Sequence, residues 1–161
     1  MGKLGNSTTS DKSTMFQGAT ALNLDAKGRL AVPTRHRDGL QSGAAGKQVL
    51  TAHPHRCVLL YPAPAWEPIR ARIMSFPSFD AQTSLWKRLL VGFAEEVELD
   101  ASGRLLISPE LRKFASFEKE VMMVGQGSHF EIWSREAWEK QLDQLSTGAD
   151  KLPPGMENFA L

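Results

Sequence analysis

Short segments of alternating apolar and polar residues are interrupted twice along the chain by tight-turn sequences. Residues 20–24 alternate with a period of two, which indicates a half-buried strand. Residues 25–28 break this pattern, and an apolar strand resumes over residues 29–32. Asp at the start of such a break accepts backbone hydrogen bonds, and Gly at its end permits the positive φ of a hairpin turn. The pattern predicts a strand–turn–strand unit, repeated downstream over residues 97–107.

Further segments predict the remaining elements of secondary structure. Apolar runs predict strands over residues 48–52, 57–61, 120–124 and 130–133. Residues at helical spacing share one face in each of two helices, Trp66, Ile69 and Ile73 in the first and Trp138, Leu142 and Leu145 in the second. A further helix is predicted to begin at Ser108-Pro109, and another to span residues 80–91. The predicted fold is mainly β within the α+β class, a small barrel with flanking helices.

The two strand–turn–strand units belong to an internal repeat. Residues 24–33 align without a gap onto residues 99–108, with Leu, Asp, Ala, Gly, Arg and Leu identical. The match resumes downstream, where Tyr61 pairs with Trp133, and Trp66-Glu67 pairs with Trp138-Glu139. Two copies are too few for a solenoid. We therefore expect two half-units that pack on one another about a pseudo-twofold axis.

The repeat suggests a division of the chain into five parts. We expect a disordered leader over residues 1–14, which are polar and lack periodicity, and a first repeat over residues 15–78. A linking helix over residues 79–92 leads to the second repeat, residues 93–145. Residues 146–161 contain Pro153-Pro154-Gly155 and are expected to form a mobile tail.

Composition narrows the functional classes. The 161 residues are 42% hydrophobic and 23% charged, as in an ordinary globular domain. Cys57 is the single cysteine, which excludes an internal disulfide and favours a reducing cytoplasm. No apolar run approaches the roughly 20 residues of a membrane span. Because the net charge is only +1, any binding of nucleic acid must depend on a local basic patch.

The repeated turns supply the candidate chemistry. Gly28 and Gly103 permit the turns, but nothing in hairpin geometry requires the arginines that follow them, Arg29 and Arg104. A guanidinium fork at the rim of a sheet suits a phosphate group or the O6 and N7 atoms of guanine. The alternative is an internal salt bridge across each turn, from Asp25 to Arg29 and from Asp100 to Arg104. The two interpretations are compatible, since a carboxylate can orient the guanidinium before a ligand arrives.

The first copy is the more basic of the two. Between residues 25 and 37 it carries Lys27, Arg29, Arg35 and Arg37 against Asp25 alone. In the second copy, Arg104, Arg112 and Lys113 are offset by Asp100 and Glu110. We expect the first copy to supply more of the attraction to phosphate. Alternatively, Arg35 and Arg37 form only the solvated face of a helix.

The sequence offers little support for catalysis or metal binding. His53-Pro54-His55 lacks the Cys or carboxylate partners of a metal site, and no Gly-rich phosphate loop or nucleophile elbow is present. The four tryptophans, Trp66, Trp86, Trp133 and Trp138, lie at predicted core positions. We therefore predict a protein that is not an enzyme and has no cofactor, catalytic residue or metal site.

Several of these motifs together resemble a known family. The segment Met-Phe-Gln-Gly-Ala at residues 15–19, the Leu-Asp-Ala-Lys-Gly-Arg motif ending at Arg29, and its repeat ending at Arg104 resemble the MraZ family of bacterial transcriptional regulators, within the AbrB-like group. The resemblance runs from Met15 to about Leu145. It implies a double-split, swapped-hairpin β-barrel built from two AbrB-like repeats.

The resemblance also implies a function. Members bind short direct repeats in the promoter of the division and cell-wall gene cluster, as a ring oligomer on the nucleoid. The Asp-x-x-x-Arg signature is the DNA-binding element, and it carries over onto Asp25 and Arg29 and onto Asp100 and Arg104. Ser102 stands where the first copy has Lys27, so one basic contact is missing.

Three functions remain as alternatives. The first is a cytoplasmic, nucleoid-associated repressor that binds double-stranded DNA, with a DNA-binding set of Asp25, Lys27, Arg29, Arg35, Arg37, Asp100 and Arg104. The second is an antitoxin-like protein-interaction module on the same barrel. The third is a small enzyme that uses an Asp and an Arg at the barrel rim.

Overall fold

The computed structural model describes residues 15–42, 46–148 and 151–159. The leader predicted over residues 1–14 lies outside the described residues, and the predicted tail is described only in part.

The first repeat contains four strands and two helices. They are β1 (Ala19–Asn23), β2 (Arg29–Ala31), α1 (Thr34–Gln41), β3 (Lys47–Ala52), β4 (Val58–Pro62) and α2 (Ala63–Ser75). A linking helix, α3 (Ala81–Leu90), follows, and it begins where the Asp80 carboxylate accepts a hydrogen bond from the Thr83 backbone N–H. Such a cap satisfies one of the amide groups that have no partner in the first helical turn. The predicted linking helix is thus present.

The second repeat has the same order of elements. They are β5 (Glu95–Glu98), β6 (Arg104–Leu106), α4 (Pro109–Phe114), β7 (Glu120–Gly125), β8 (Phe130–Ser134) and α5 (Arg135–Asp143), followed by a 3₁₀ turn (Gln144–Thr147). The Ser108 hydroxyl caps α4 by accepting from the Leu111 N–H, as its sequence predicts, and Ser134 caps α5 in the same way.

Strands are exchanged between the two repeats. A six-stranded antiparallel sheet has the order β1-β7-β8-β4-β3-β5, so that the first strand of each repeat pairs with the other repeat. The short strands β2 and β6 pair only with each other, as a two-stranded ribbon. The mixed α+β class with exchanged strands is confirmed. The six-stranded ladder is open, with β1 and β5 at its edges, and the described residues contain no closed ladder.

The turn at residues 25–28 therefore does not join a regular hairpin. β1 pairs with β7, whereas β2 pairs with β6, and only a single bridge between Leu24 and Leu30 connects the strands flanking this turn. The predicted order of strand, turn and strand is present, but pairing between these two strands is limited to that bridge. The turn instead redirects the chain from the sheet into the ribbon, because each flanking strand finds a partner in the other repeat.

The sheet separates two apolar cores. On one face, the ribbon and the helices α1 and α4 cover a core that includes Leu30, Leu105 and Phe130, all fully buried. On the other face, residues of α2, α3 and α5 pack against a second core around Trp66 and Trp133. Alternate residues along the four central strands β3, β4, β7 and β8 face opposite cores, as the two-residue period of a strand requires.

Some predicted core positions are exposed. Trp86 in α3 has 46% of its surface exposed, and Leu142 and Leu145 are exposed to a similar extent. These residues do lie at helical spacing, but the protein provides nothing to cover that part of each helix in the described structure. An apolar helical face can equally be buried by another molecule, which helical periodicity does not distinguish.

The ribbon offers a direct test of the two-layer packing. We expect Leu105→Ala to lower the free energy of unfolding by about 2–5 kcal/mol, because it leaves a cavity in the first core. Its neighbour Leu106 is 52% exposed, so Leu106→Ala is expected to cost less than about 1 kcal/mol. Equilibrium denaturation of both variants measures the difference, and equal costs would contradict the ribbon's assigned orientation.

Candidate nucleic-acid interface

The first turn is organised around a single carboxylate. Asp25 Oδ1 accepts the backbone N–H groups of Lys27, at 2.9 Å, and of Arg29, at 2.8 Å. Asp25 Oδ2 accepts the Arg29 Nε–H at 2.7 Å. The Gly28 N–H donates to the Asp25 carbonyl at 3.0 Å, and Gly28 has a φ of 86°. One residue thus shapes the turn and orients the guanidinium that follows it.

The second turn repeats this geometry. Asp100 Oδ1 accepts the N–H groups of Ser102 and Arg104, both at 2.9 Å, and Oδ2 accepts the Arg104 Nε–H at 2.9 Å. Gly103 has a φ of 78° and donates to the Asp100 carbonyl. The side chain that differs, Ser102 in place of Lys27, takes part only through its backbone, so the substitution changes charge and leaves the turn intact.

The salt bridges across the turns leave the outer part of each guanidinium available. Arg29 and Arg104 each use Nε toward the carboxylate, and within the described chain their Nη groups make no hydrogen bond. The two side chains retain 29% and 35% of their surface exposed. Each arginine is therefore both held in place and able to donate outward.

Hydrogen bonds to the carboxylates stabilise their charged form. The Arg29 N–H, followed by the Arg29 side chain and the Lys27 N–H, lowers the pKa of Asp25 to about 2. The Arg104 N–H is the main cause that lowers the pKa of Asp100. Since both pKa values lie below those of free carboxyls, both groups are ionised at neutral pH. The stabilisation by Asp25 is complete above the ordinary aspartate pKa of about 4 and is lost as the pH falls through about 2.

The ribbon brings the two arginines to one face. Arg29 lies opposite Leu106, and Ala31 lies opposite Arg104. Paired residues in an antiparallel ladder project to the same side, and alternate residues share a side. These four residues, Arg29, Ala31, Arg104 and Leu106, therefore form the outer face of the ribbon, opposite the buried pair Leu30 and Leu105. The two arginines are diagonal neighbours, with a separation of roughly 7–8 Å between backbones.

The turn of each repeat is braced by an arginine that belongs to the other repeat. The Arg37 Nε–H donates to the Val32 carbonyl at 2.8 Å, and its guanidinium lies against Gly103, so closely that a Cβ there would overlap it. In the second repeat, Arg112 donates to the Ile107 carbonyl at 2.9 Å and lies against Gly28 in the same manner. Each glycine is thus required twice, for its positive φ and for the close approach of a guanidinium.

These contacts define the position of Arg37 more closely than the sequence analysis did. Arg37 is half-buried and committed to the brace, whereas Lys27 and Arg35 are exposed. Whether any of the three contacts DNA stays a prediction. Arg112 was not among the candidate residues predicted from the sequence, although it follows Arg104 at the same spacing at which Arg37 follows Arg29. Extending the repeat alignment by a few residues would have found it.

Charge differs sharply between the two sides of the pseudo-twofold axis. Arg35 Nη2 donates to Thr20 Oγ1 at 2.7 Å, which places a cation beside β1. The repeat alignment puts Glu110 and Glu95 at the corresponding positions of the second repeat. At these positions the first repeat carries a cation where the second carries carboxylates, so the first repeat is the more basic of the two, in agreement with the charge asymmetry of the sequence.

The part of the chain that the structure describes was compared with two other kinds of site, a metal centre and a membrane-spanning helix. In residues 15–42, 46–148 and 151–159, no group of three or more His, Cys, Asp or Glu side chains could hold a metal ion. His53 Nδ1 instead accepts the His55 N–H at 3.0 Å, which makes this pair part of a loop. Among the helices that the structure describes, none combines the length and apolar character needed to cross a membrane.

The braces can be tested by adding one methyl group. We expect Gly103→Ala to destabilise the protein by about 1–3 kcal/mol, because it both strains the backbone and displaces the Arg37 guanidinium. Gly148 also has a positive φ but has no neighbour within 4 Å, so Gly148→Ala measures the backbone strain alone. Removing the guanidinium with Arg37→Ala should reduce the cost of Gly103→Ala to that of the control. Strictly additive free energies of unfolding would contradict the brace.

Comparison with known proteins agrees with the repeat and the turn motifs. The model of one family, described as "MraZ protein, putative antitoxin-like", matches residues 15–89 and again residues 90–151. A protein from Methylobacillus flagellatus named transcriptional regulator MraZ is 65% identical over 148 residues, which cover 91% of this chain and 100% of that protein. Proteins of the same name from Aromatoleum aromaticum and Nitrosomonas europaea are 58% and 48% identical over the same shares of both chains.

The names of these relatives describe regulators rather than enzymes, in agreement with the expectation from the sequence. The match includes both copies of the Asp-x-x-Gly-Arg turn and nearly the full length of each relative. The chain therefore belongs to the MraZ family of transcriptional regulators.

Proposed function

We propose that this protein is a sequence-specific regulator that binds double-stranded DNA through the outer face of the ribbon and the two turns beside it. The observation that carries the proposal is the pair of arginines, Arg29 and Arg104, each held by an aspartate and both on one exposed face. The proposed DNA contacts are the set predicted from the sequence, Asp25, Lys27, Arg29, Arg35, Arg37, Asp100 and Arg104. Arg37 also braces the second turn.

The geometry suits the major groove. This groove is about 12 Å wide and admits a two-stranded β-ribbon, and an arginine fork pairs with guanine O6 and N7. Because Asp25 and Asp100 already fix one edge of each guanidinium, less side-chain freedom is lost on binding. The same forks can instead contact phosphates, which position the protein without reading the sequence.

The first repeat should contribute more of the affinity. Lys27 and Arg35 flank Arg29, whereas Ser102 and Glu110 stand at the corresponding places around Arg104. A lysine near a phosphate attracts it, and a glutamate in the equivalent place repels it. Arg29 therefore acts in a basic surrounding and Arg104 in one that is close to neutral.

We further propose that the protein acts as a ring oligomer. A single protomer with a few phosphate contacts binds weakly, and linked protomers can gain on the order of 10²–10⁴ in affinity. Two different apolar surfaces support self-association, a first on α2, α3 and the loop between them (Met74, Phe76, Phe79, Leu85 and Trp86) and a second on α5 and the 3₁₀ turn (Leu142 and Leu145). Unlike surfaces that dock head to tail form rings when the rotation closes.

Such a ring would read direct repeats, because every protomer meets the DNA in the same orientation. The family resemblance supports a target in the promoter of the division and cell-wall gene cluster, which includes this protein's own gene. It also supports a role as a cytoplasmic repressor associated with the nucleoid. The antitoxin-like alternative is favoured by the family's description alone. Co-purification with one fixed protein partner, without affinity for the promoter fragment, would establish it instead.

Substitution of the two arginines tests the proposed interface. We expect Arg29→Ala to abolish specific binding to the DNA upstream of this protein's gene in an electrophoretic shift, and Arg104→Ala to weaken it less. Loss of a phosphate contact also reduces the slope of log affinity against log salt by about 0.9.

Arg72 provides the matched control, because it is an exposed arginine on α2, across the sheet from the ribbon. Arg72→Ala should bind like the unmodified protein. Equal affinity of the unmodified protein and Arg29→Ala would refute the interface.

A second substitution tests the oligomer. Trp86→Glu places a charge in the first apolar surface, and sedimentation velocity should show a shift from a ring to smaller species. Phe159→Glu, at an exposed aromatic residue outside both apolar surfaces, should leave the assembly unchanged. A Trp86→Glu protein that sediments like the unmodified one would exclude this surface from the contact.

A further inference from the structure

One apolar side chain lies on the outer face of the ribbon without a packing role. Leu106 is 52% exposed and contributes to neither of the two apolar cores, although it is flanked by fully buried Leu105 and Ile107. It lies directly opposite Arg29 in the ladder, on the face of the ribbon that points away from the core. A leucine here gains little for folding, since most of its surface stays in water.

The equivalent position of the first repeat holds a much smaller residue. The alignment that matches Arg29 with Arg104 also matches Ala31 with Leu106, and both are exposed. Buried positions in these strands and directly after them keep similar apolar residues, Leu30 with Leu105 and Val32 with Ile107. The two halves of the ribbon therefore agree where the core demands it and differ on the face that points outward.

We propose that Leu106 is a specificity-determining residue, which contacts the 5-methyl group of a thymine beside the base pair reached by Arg29. This inference rests on the proposed function, because it requires the outer face of the ribbon to enter the major groove. The thymine methyl is the apolar feature that distinguishes base pairs in that groove, and aliphatic side chains are suited to contact it.

The contact would also give the ribbon a direction. Two arginines related by a twofold axis present the same donors to both half-sites and would favour a palindrome. Leu106 lies on the same side of the ribbon's midpoint as Arg29, and only Ala31 lies beside Arg104. Because Leu106 has three more side-chain carbons than Ala31, it extends to a methyl group that the shorter side chain does not reach. The methyl contact is thus made at one end of the site only, which makes the recognised sequence asymmetric.

The experiment compares two forms of one DNA fragment. The region upstream of this protein's gene is amplified with either thymidine or deoxyuridine triphosphate, so that the second fragment lacks every thymine methyl. The full-length unmodified protein should bind the methyl-containing fragment more tightly, by roughly fourfold for each methyl contacted. In Leu106→Ala the ratio of the two affinities should fall to near one, whereas Leu106→Met should retain part of it.

Leu152→Ala is the matched control, because Leu152 is exposed to nearly the same extent, at 53%, but lies in the C-terminal segment. It should keep the ratio of the unmodified protein. A ratio that is unchanged in Leu106→Ala, or near one in the unmodified protein, would overturn the role of Leu106 while leaving the proposed function standing. Absence of specific binding to either fragment by the unmodified protein would instead overturn the proposed function itself and the inference with it.

Discussion

Hydrogen bonding between the two repeats at the ribbon is the constraint on which the candidate interface depends. The Val32 N–H donates to the Gly103 carbonyl at 2.9 Å, and the Ile107 N–H donates to the Gly28 carbonyl at 3.0 Å. Each turn is therefore tied to the strand of the other repeat. A single repeat would leave these backbone groups without partners, which costs free energy when such groups are buried. It would also leave its apolar ribbon residue exposed. The candidate interface therefore requires both repeats.

The same arrangement explains how exposed arginines can be held rigidly. An exposed ion pair is usually weak, because two mobile side chains must be fixed to form it. Here the carboxylate is already fixed by two backbone N–H groups in each turn, and the turn is fixed by the brace from Arg37 or Arg112. Little freedom remains for Arg29 and Arg104 to lose. Rigidity at the surface is thus supplied by a short series of contacts that begins in the opposite repeat.

The sequence predicted the elements of this structure better than their partners. The repeat, the α+β class, the capped helices and the turns follow from local patterns, since caps and tight turns depend on neighbouring residues. Alternation over residues 20–24 indicates a strand but cannot identify what it pairs with, so the exchange of β1 and β5 was accessible only through the family resemblance. The role of Arg112 depends on a contact between the two repeats, and the exposure of Trp86 depends on what covers α3. The spacing of residues along the sequence shows neither of these.

Duplication gives this protein a symmetric scaffold, and the differences between its repeats that change charge or size most on the ribbon side are at the surface. Ser102, Leu106 and Glu110 are the repeat equivalents of Lys27, Ala31 and Arg35. The turn carboxylates, the turn glycines and the bracing arginines are the same in both halves. Residues that hold the turns cannot vary without loss of geometry, because each serves the other repeat. Outward-facing residues are free of that restriction. A two-fold-symmetric reader matches a palindrome, but one whose two ends differ in charge and shape has a preferred orientation on DNA. Under the proposed function, the asymmetry of these three pairs gives each bound protomer a preferred orientation and therefore favours direct repeats over a palindrome as the target.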